Sequence, residues 1–293
     1  MTRMLPNRML CIAAAVMSLN TPAFALLTIT ELKARAATND AASCFELAHR
    51  YKRPLVPGKP EGDLSVAKDM AEAQRWFQKA YDLFLPAANN GDNKAQDVVG
   101  RICLEGFTDT NRIAEGVMWQ RKAADGGNIH AQVNMGMALL RPRWGLERNE
   151  EEGAKLLTAA AERRHRLAVV VLVDYYSAKE DYKNAAQWLH MLADFGEREA
   201  QSKLGRWYAK GVAVPKDNVE AYKWLSLAAV PLFPTNRTAR DPWSARIALQ
   251  DEDHARSRDV HGALLTPEEM ERAKQKIAEF KRTKTFHDET KDP

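Results

Sequence analysis

The chain has 293 residues, 28% of them charged, and a formal net charge of only +4. So slight and dispersed a positive balance argues against a dedicated nucleic-acid binder, which needs a concentrated basic face. No apolar run beyond the N-terminal segment approaches the roughly 20 residues that a membrane-spanning helix requires.

The first segment reads as an export signal. Arg3 and Arg8 give a basic start, Met9 to Leu19 form a short apolar run, and Ala23-Phe24-Ala25 follows Pro22 as a small-x-small cleavage site. The expectation is cleavage after Ala25, a periplasmic location and no integral membrane segment in the mature protein. Cys11 lies within the apolar run without the small residues that precede a lipidated cysteine, so no lipid anchor is expected.

The remainder is organised by repetition. Ser43, Ala48 and Tyr51 open a degenerate first unit. An insert over 54–66, with three prolines and two glycines, precedes a helix marked by Ala73, Trp76 and Ala80. That helix is about two turns too long for the pattern. Next come Ala95, Gly100, Cys103, Gly106, Gly116, Trp119 and Ala123, at offsets 0, 5, 8, 11, 21, 24 and 28. Ala200, Gly205, Tyr208, Gly211, Ala221, Trp224 and Ala228 repeat those offsets without a gap. Ala131 and Gly136 open a copy whose Gly153 and Leu156 arrive one residue late. Ala168 and Tyr176 open another whose Trp188 and Ala193 arrive early. The links AANNGDNKAQ, AADGGNIHAQ and ADFGEREAQ also match.

In each copy, small residues allow close helix approach, and a glycine or proline breaks the chain between two helices. A unit this small cannot bury its own apolar face, so it must stack on its copies. The predicted class is an all-α, α/α solenoid of about five helical pairs over 26–230. Gly100, Trp119, Gly136, Tyr176, Trp188, Gly205, Tyr208 and Trp224 are its structural repeat positions.

A C-terminal region, 231–293, follows. The link PLFPTNRTARDPW leads to a helix expected to turn Trp243, Ile247 and Leu249 inward. Thr266-Pro267-Glu268-Glu269 is a strong helix start, followed by the apolar stripe Met270, Ala273, Ile277 and Phe280. This helix is expected to cap the last repeat, ahead of a charged tail.

The pattern Ala-x(4)-Gly-x-x-Tyr-x-x-Gly, then Asp-x(3)-Ala-x-x-Trp-x(3)-Ala-Ala, resembles the Sel1-like repeat family, relatives of the tetratricopeptide repeats. The resemblance covers about residues 40–230 and is nearly complete over 200–229. Cys103 and Leu139 replace the tyrosine, Pro142 the turn glycine and Val173 the helix glycine. The resemblance implies a right-handed α-solenoid and an adaptor rather than an enzyme.

No local signature of a nucleophile, phosphate loop or zinc site is present, so no catalytic residue, metal or cofactor is nominated. His254 beside Asp253, with His261 further on, is the nearest approach to a site. Cys44 and Cys103 could pair in an oxidising compartment. Their offsets separate them by about 10 Å along the helix axes, against the roughly 7 Å between Cα atoms that a bridge tolerates, which favours two buried thiols.

With offsets 0, 4, 5 and 8 pointing inward, offsets 6 and 10 of each first helix point away. They hold His49 and Arg53, Arg101 and Glu105, Met137 and Arg141, Asp174 and Ala178, and Arg206 and Lys210. These positions define a groove leaning positive, suited to a protein partner with an acidic surface or segment. Trp144, in the irregular turn RPRWG, is a candidate anchor beside it. The expected function is a non-enzymatic periplasmic binding scaffold. The alternatives are an immunity protein against a periplasm-acting, type VI lipase-like toxin, and a regulator of a sensor kinase.

Overall fold

The computed structural model describes residues 27–53, 66–105, 110–230 and 242–283. The expected export signal, almost all of the 54–66 insert and the link at 231–241 lie outside the described residues. Among the described residues every regular element is an α-helix. They are α1 (Ile29–Ala37), α2 (Ala41–Lys52), α3 (Met70–Asn89), α4 (Asn93–Glu105), α5 (Thr110–Asp125), α6 (Ile129–Leu140), α7 (Glu150–Glu162), α8 (Arg166–Ala178), α9 (Tyr182–Asp194), α10 (Arg198–Lys210), α11 (Asn218–Ala228), α12 (Pro242–Gly262) and α13 (Pro267–Thr283). The chain forms two compact units, one ending at Arg148 and the other beginning at Asn149.

Within each unit, helices consecutive in sequence pack on one another as far as α12, as in an α/α solenoid. The repeat glycines set how closely a pair approaches. A Cβ on Gly100 would lie 2.9 Å from Gln120 Cγ and 3.0 Å from its backbone nitrogen, and one on Gly116 would lie 3.0 Å from the Gly100 carbonyl oxygen. The α4–α5 pair therefore closes glycine against backbone, and α10–α11 does the same at Gly205. Around these contacts Phe45, Phe77, Ile102 and Met135 are fully buried in the first unit, and Leu157, Leu172, Leu189, Leu204 and Leu225 in the second. Each such side chain stabilises the stack by about 1.5–3 kcal/mol.

The links repeat atom by atom. After α3 the Gly91 N–H donates to the Ala88 carbonyl and the Asp92 N–H to that of Ala87. Gly127 and Asn128, Arg164 and His165, and Gly196 and Glu197 make the corresponding pairs of bonds. This paired closure satisfies carbonyls at a helix end and requires a left-handed residue. The first residues of the four pairs have φ of 91°, 81°, 66° and 85°. Three are glycine and one is Arg164.

Both ends of the chain show capping that follows from sequence. Thr28 and Glu31 form a reciprocal capping box that starts α1, a helix the repeat pattern did not anticipate. The Thr266 hydroxyl accepts from the Glu269 N–H, and the Thr266 N–H donates to Glu269 Oε2. The helix so started, α13, packs on α11. It buries Ala273, sets Phe280 edge-on to Trp224 at 5.4 Å and joins Lys276 to Glu220 at 2.6 Å. One expectation for α12 fails. Leu249 does not turn inward but is 62% exposed, because the buried side of α12 is taken by His254 and its contacts with Arg198. The side chains of Trp243 and Ile247 lie outside the described residues.

Candidate functional site

In the first unit, three aromatic rings from α2 and α3 form a nest. Phe45 meets His49 edge-on at 4.5 Å and Phe77 at 6.0 Å, and His49 meets Phe77 at 5.3 Å. Cations gather on its rim. The Arg101 guanidinium lies 5.1 Å from the Phe45 centroid, and Lys52 Nζ lies 5.7 Å from that of Phe77. Lys52 donates to the Glu105 carbonyl at 2.6 Å and has that residue's carboxylate within 3.9 Å. Burial, reinforced by Arg101, Lys52 and Arg53, depresses the His49 pKa to about 3, so the imidazole is neutral at physiological pH.

A buried polar relay lies beyond Arg101. Arg101 Nη1 is 3.8 Å from Asp97 Oδ2. The fully buried Gln120 donates to the Asp97 carbonyl at 2.8 Å and to Oδ1 at 2.9 Å, and accepts from Asn134 at 3.2 Å. This relay ties α4, α5 and α6 together through satisfied polar groups.

The first-unit groove candidates consequently divide. Arg101 is buried and His49 is half-buried with its Nε2 withdrawn from solvent, so neither presents its polar group on a solvated face. Offset 6 of these first helices is covered because the aromatic nest of α2 and α3 packs over it. Arg101 is only 7% exposed. Glu105 and Met137 are half-buried, while Arg53 and Arg141 are exposed.

The turn after α6 carries Trp144. The Leu146 N–H donates to the Arg143 carbonyl at 3.1 Å, and both central residues have positive φ, 59° at Trp144 and 76° at Gly145. Arg143 stacks on the Trp144 ring at 4.5 Å. Its buried Nη2 has no acceptor among the described residues. Burial lowers the Arg143 pKa, opposed by the Glu105 carboxylate.

In the second unit, Arg206 and Lys210 are exposed on α10 and Asp174 is half-buried on α8. Arg206 donates to Ser202 Oγ at 2.9 Å. Between these helices Lys203 spans from Ser177 Oγ, at 3.3 Å, to the Trp207 ring, 5.1 Å from its centroid. Burial lowers the Lys203 pKa, with Asp174 opposing. Tyr208 OH lies 3.1 Å from His190 Nε2, and His190 in turn faces Trp224.

The structural positions Gly100, Trp119, Gly136, Trp188, Gly205 and Trp224 are buried, with Tyr176 and Tyr208 half-buried. Cys44 and Cys103 are buried free thiols, and burial raises the pKa of both, that of Cys103 to about 12. His254 is buried against Arg198, at 3.2 Å, and its neighbour Asp253 is exposed. His261 contacts the Ser257 carbonyl of its own helix. No helix among the described residues is long and apolar enough to cross a membrane.

Sequence reasoning missed Lys52, Arg143 and Lys203. Lys52 and Lys203 fall outside the two offsets expected to face away. Arg143 lies in the turn whose candidate anchor is Trp144. An arginine preceding Trp-Gly, where the turn glycine of the repeat is missing, was the available signal.

Comparison with known proteins agrees with this architecture. The Sel1 repeat family matches residues 61–83, 94–128, 129–165, 167–194 and 198–229. A Sel1 repeat protein from Oxalobacter formigenes has a similar structure, with 22% identity over 83% of this chain and 89% of that one, at a TM-score of 0.50. A protective antigen of uropathogenic Escherichia coli with an SLR fold is 20% identical over 86% of this chain, at a TM-score of 0.44. The match spans 63% of that antigen's length. An immunity protein from Pseudomonas aeruginosa is 17% identical over 80% of this chain and 74% of its own, at a TM-score of 0.40. The Oxalobacter protein bears on fold alone, and the other two are too distant to bear on function. With five repeats matched over more than half of its length, the chain belongs to the Sel1 repeat family.

Proposed function

We propose that the protein is a non-enzymatic scaffold, exported to the periplasm, that holds a protein partner with an acidic surface against the cationic ends of its first helices. The observation that carries the reading is the recurrence of an exposed cation at the ends of α2, α6 and α10, with Glu105 and Ala178 at the corresponding places of the intervening repeats. Arg53 and Arg141 stand at the ends of α2 and α6 in the first unit, and Lys210 ends α10 in the second, with Arg206 one turn before it. Membership of a repeat family whose units bury their apolar faces against one another supports binding along the surfaces left over. Positive potential on those surfaces favours and steers an acidic partner. The basic, apolar and small-residue stretches of residues 1–25 support export.

The test is capture from a detergent extract of the cell envelope, with two charge-reversed proteins beside the wild type. One carries Arg53→Glu and Arg141→Glu, the other Arg206→Glu and Lys210→Glu. Loss of a specific partner in either variant, with helicity by circular dichroism unchanged, identifies the surface used. Undiminished capture by both would overturn the reading. The captured protein's identity separates a sensor-kinase regulator from an immunity protein, since only the latter inhibits a co-captured toxin.

A further inference from the structure

Within the first unit, one place has cations in excess of acids and a donor lacking an acceptor. Lys52 Nζ on α2 has the Glu105 carboxylate, at the end of α4, within 3.9 Å, and the charge of that carboxylate opposes the burial of Arg143 in the turn after α6. Arg53 is next to Lys52 in the chain. The other nearby acid, Asp97, is already engaged by Arg101 and Gln120. Buried cations are costly unless paired and hydrogen-bonded. Arg143 keeps a buried Nη2 without an acceptor among the described residues, and His49 keeps a buried, unpartnered Nε2.

The backbone makes the same point independently. Holding a β-carbon residue in the left-handed region costs about 1–2 kcal/mol, and a turn with two positive φ values favours Asn-Gly. Here the first of the two is Trp144. Its ring is the platform on which the Arg143 guanidinium lies. Strain of this kind persists where it positions a functional group.

We propose that Arg143, with Trp144 as the wall, forms a carboxylate-binding subsite for an acidic segment of the partner protein. The inference rests on the scaffold reading above and names the subsite it uses. An incoming carboxylate gives Arg143 Nη2 the acceptor it lacks. Arginine suits the task because its planar fork grips a carboxylate through two parallel bonds. Trp144 offers the residue beside that carboxylate a flat apolar surface.

The probe is a fluorescein-labelled hexaglutamate peptide with an amidated C-terminus, followed by fluorescence anisotropy with the full chain. A second peptide, hexaglutamine with a free C-terminal carboxyl, separates side-chain from terminal carboxylates. Arg143→Gln is expected to weaken hexaglutamate binding by at least about tenfold, the loss of one charge-assisted bidentate contact. Glu105→Gln acts in the opposite sense and tightens binding several-fold, because it removes the internal competitor. Arg75→Gln, at a remote exposed arginine, removes the same charge and leaves affinity unchanged. Equal weakening by Arg75→Gln and Arg143→Gln would mean non-specific attraction and overturn the subsite. So would weaker binding in Glu105→Gln. Envelope capture that survives Arg143→Gln while failing on Arg53→Glu/Arg141→Glu would overturn the subsite and leave the scaffold reading intact.

Discussion

The β-carbon that Gly205 lacks would lie 2.7 Å from Leu225 Cγ and 3.1 Å from the Ala221 carbonyl oxygen. The two helices of the best-preserved repeat are thus in contact through a missing methyl group. Gly205→Ala gains about 0.5–1 kcal/mol of helix propensity but must push α10 away from α11. Overpacking of that kind costs about 1–3 kcal/mol, and a backbone atom is among the obstacles, so the clash wins. The expected result is net destabilisation of roughly 1 kcal/mol, read as a lower urea midpoint. A stabilised Gly205→Ala protein would show that the pair is not closed as described.

Arg164 occupies the place held by Gly91, Gly127 and Gly196 in the other links, with φ of 66°. Its backbone makes the same two closing bonds as theirs, so only the side chain is out of keeping. Arg164→Gly relieves a left-handed strain of about 1–2 kcal/mol and gives up a cation–π contact with Phe195 worth about 0.5–1 kcal/mol. The expected outcome is a gain of roughly 0.5–1 kcal/mol, visible as a raised thermal midpoint. Gly196→Ala, which imposes the strain elsewhere, should lower it.

These two positions show what the sequence made legible. Gly205 and Trp224 fall at fixed offsets because every copy must close the same helix pair, and such a constraint is written in residue type. The capping of α13 by Thr266 and Glu269 was equally plain, being local. The polarity of the groove was harder to read. Helical phase alone sends His49 and Arg101 outward, yet aromatic rings of α2 and α3 cover them, and that packing depends on which helices meet. The approach of Lys52 to Glu105, and the reach of that carboxylate's charge to Arg143, join residues 53 and 38 positions from it, in three elements of different repeats. No spacing rule within one repeat reports that.

His49 makes stability depend on pH in a defined window. Its pKa in the folded chain is about 3, against an ordinary value of 6.5. Below pH 6.5 the unfolded chain therefore binds a proton that the folded chain refuses, and stability falls as pH drops toward 3. Above 6.5 the group contributes no pH dependence. Between pH 6.5 and 5 the loss attributable to His49 is about 1.6 kcal/mol. Burial also lowers the pKa of His190 and His254, which add a background of the same sign. Urea titrations at pH 7 and pH 5 should show a smaller pH-dependent loss in His49→Gln than in the wild type. Identical losses would place His49 in water rather than in the aromatic nest.

Trp144 sets stability against binding. Asparagine is the residue best suited to the first central position of its turn when glycine follows, so Trp144→Asn relaxes the backbone by about 1 kcal/mol. The half-buried indole and its stacking on Arg143 are lost at the same time, leaving overall stability within about 1 kcal/mol of the wild type. Binding of the hexaglutamate probe should nevertheless fall several-fold, because the guanidinium loses its platform and the ligand its wall. Trp144→Phe, which keeps a ring in place, should retain most of the affinity. If the asparagine protein were as stable as the wild type and bound the probe equally well, the strained tryptophan would be only a turn residue, and Arg143 would have to grip its carboxylate without it.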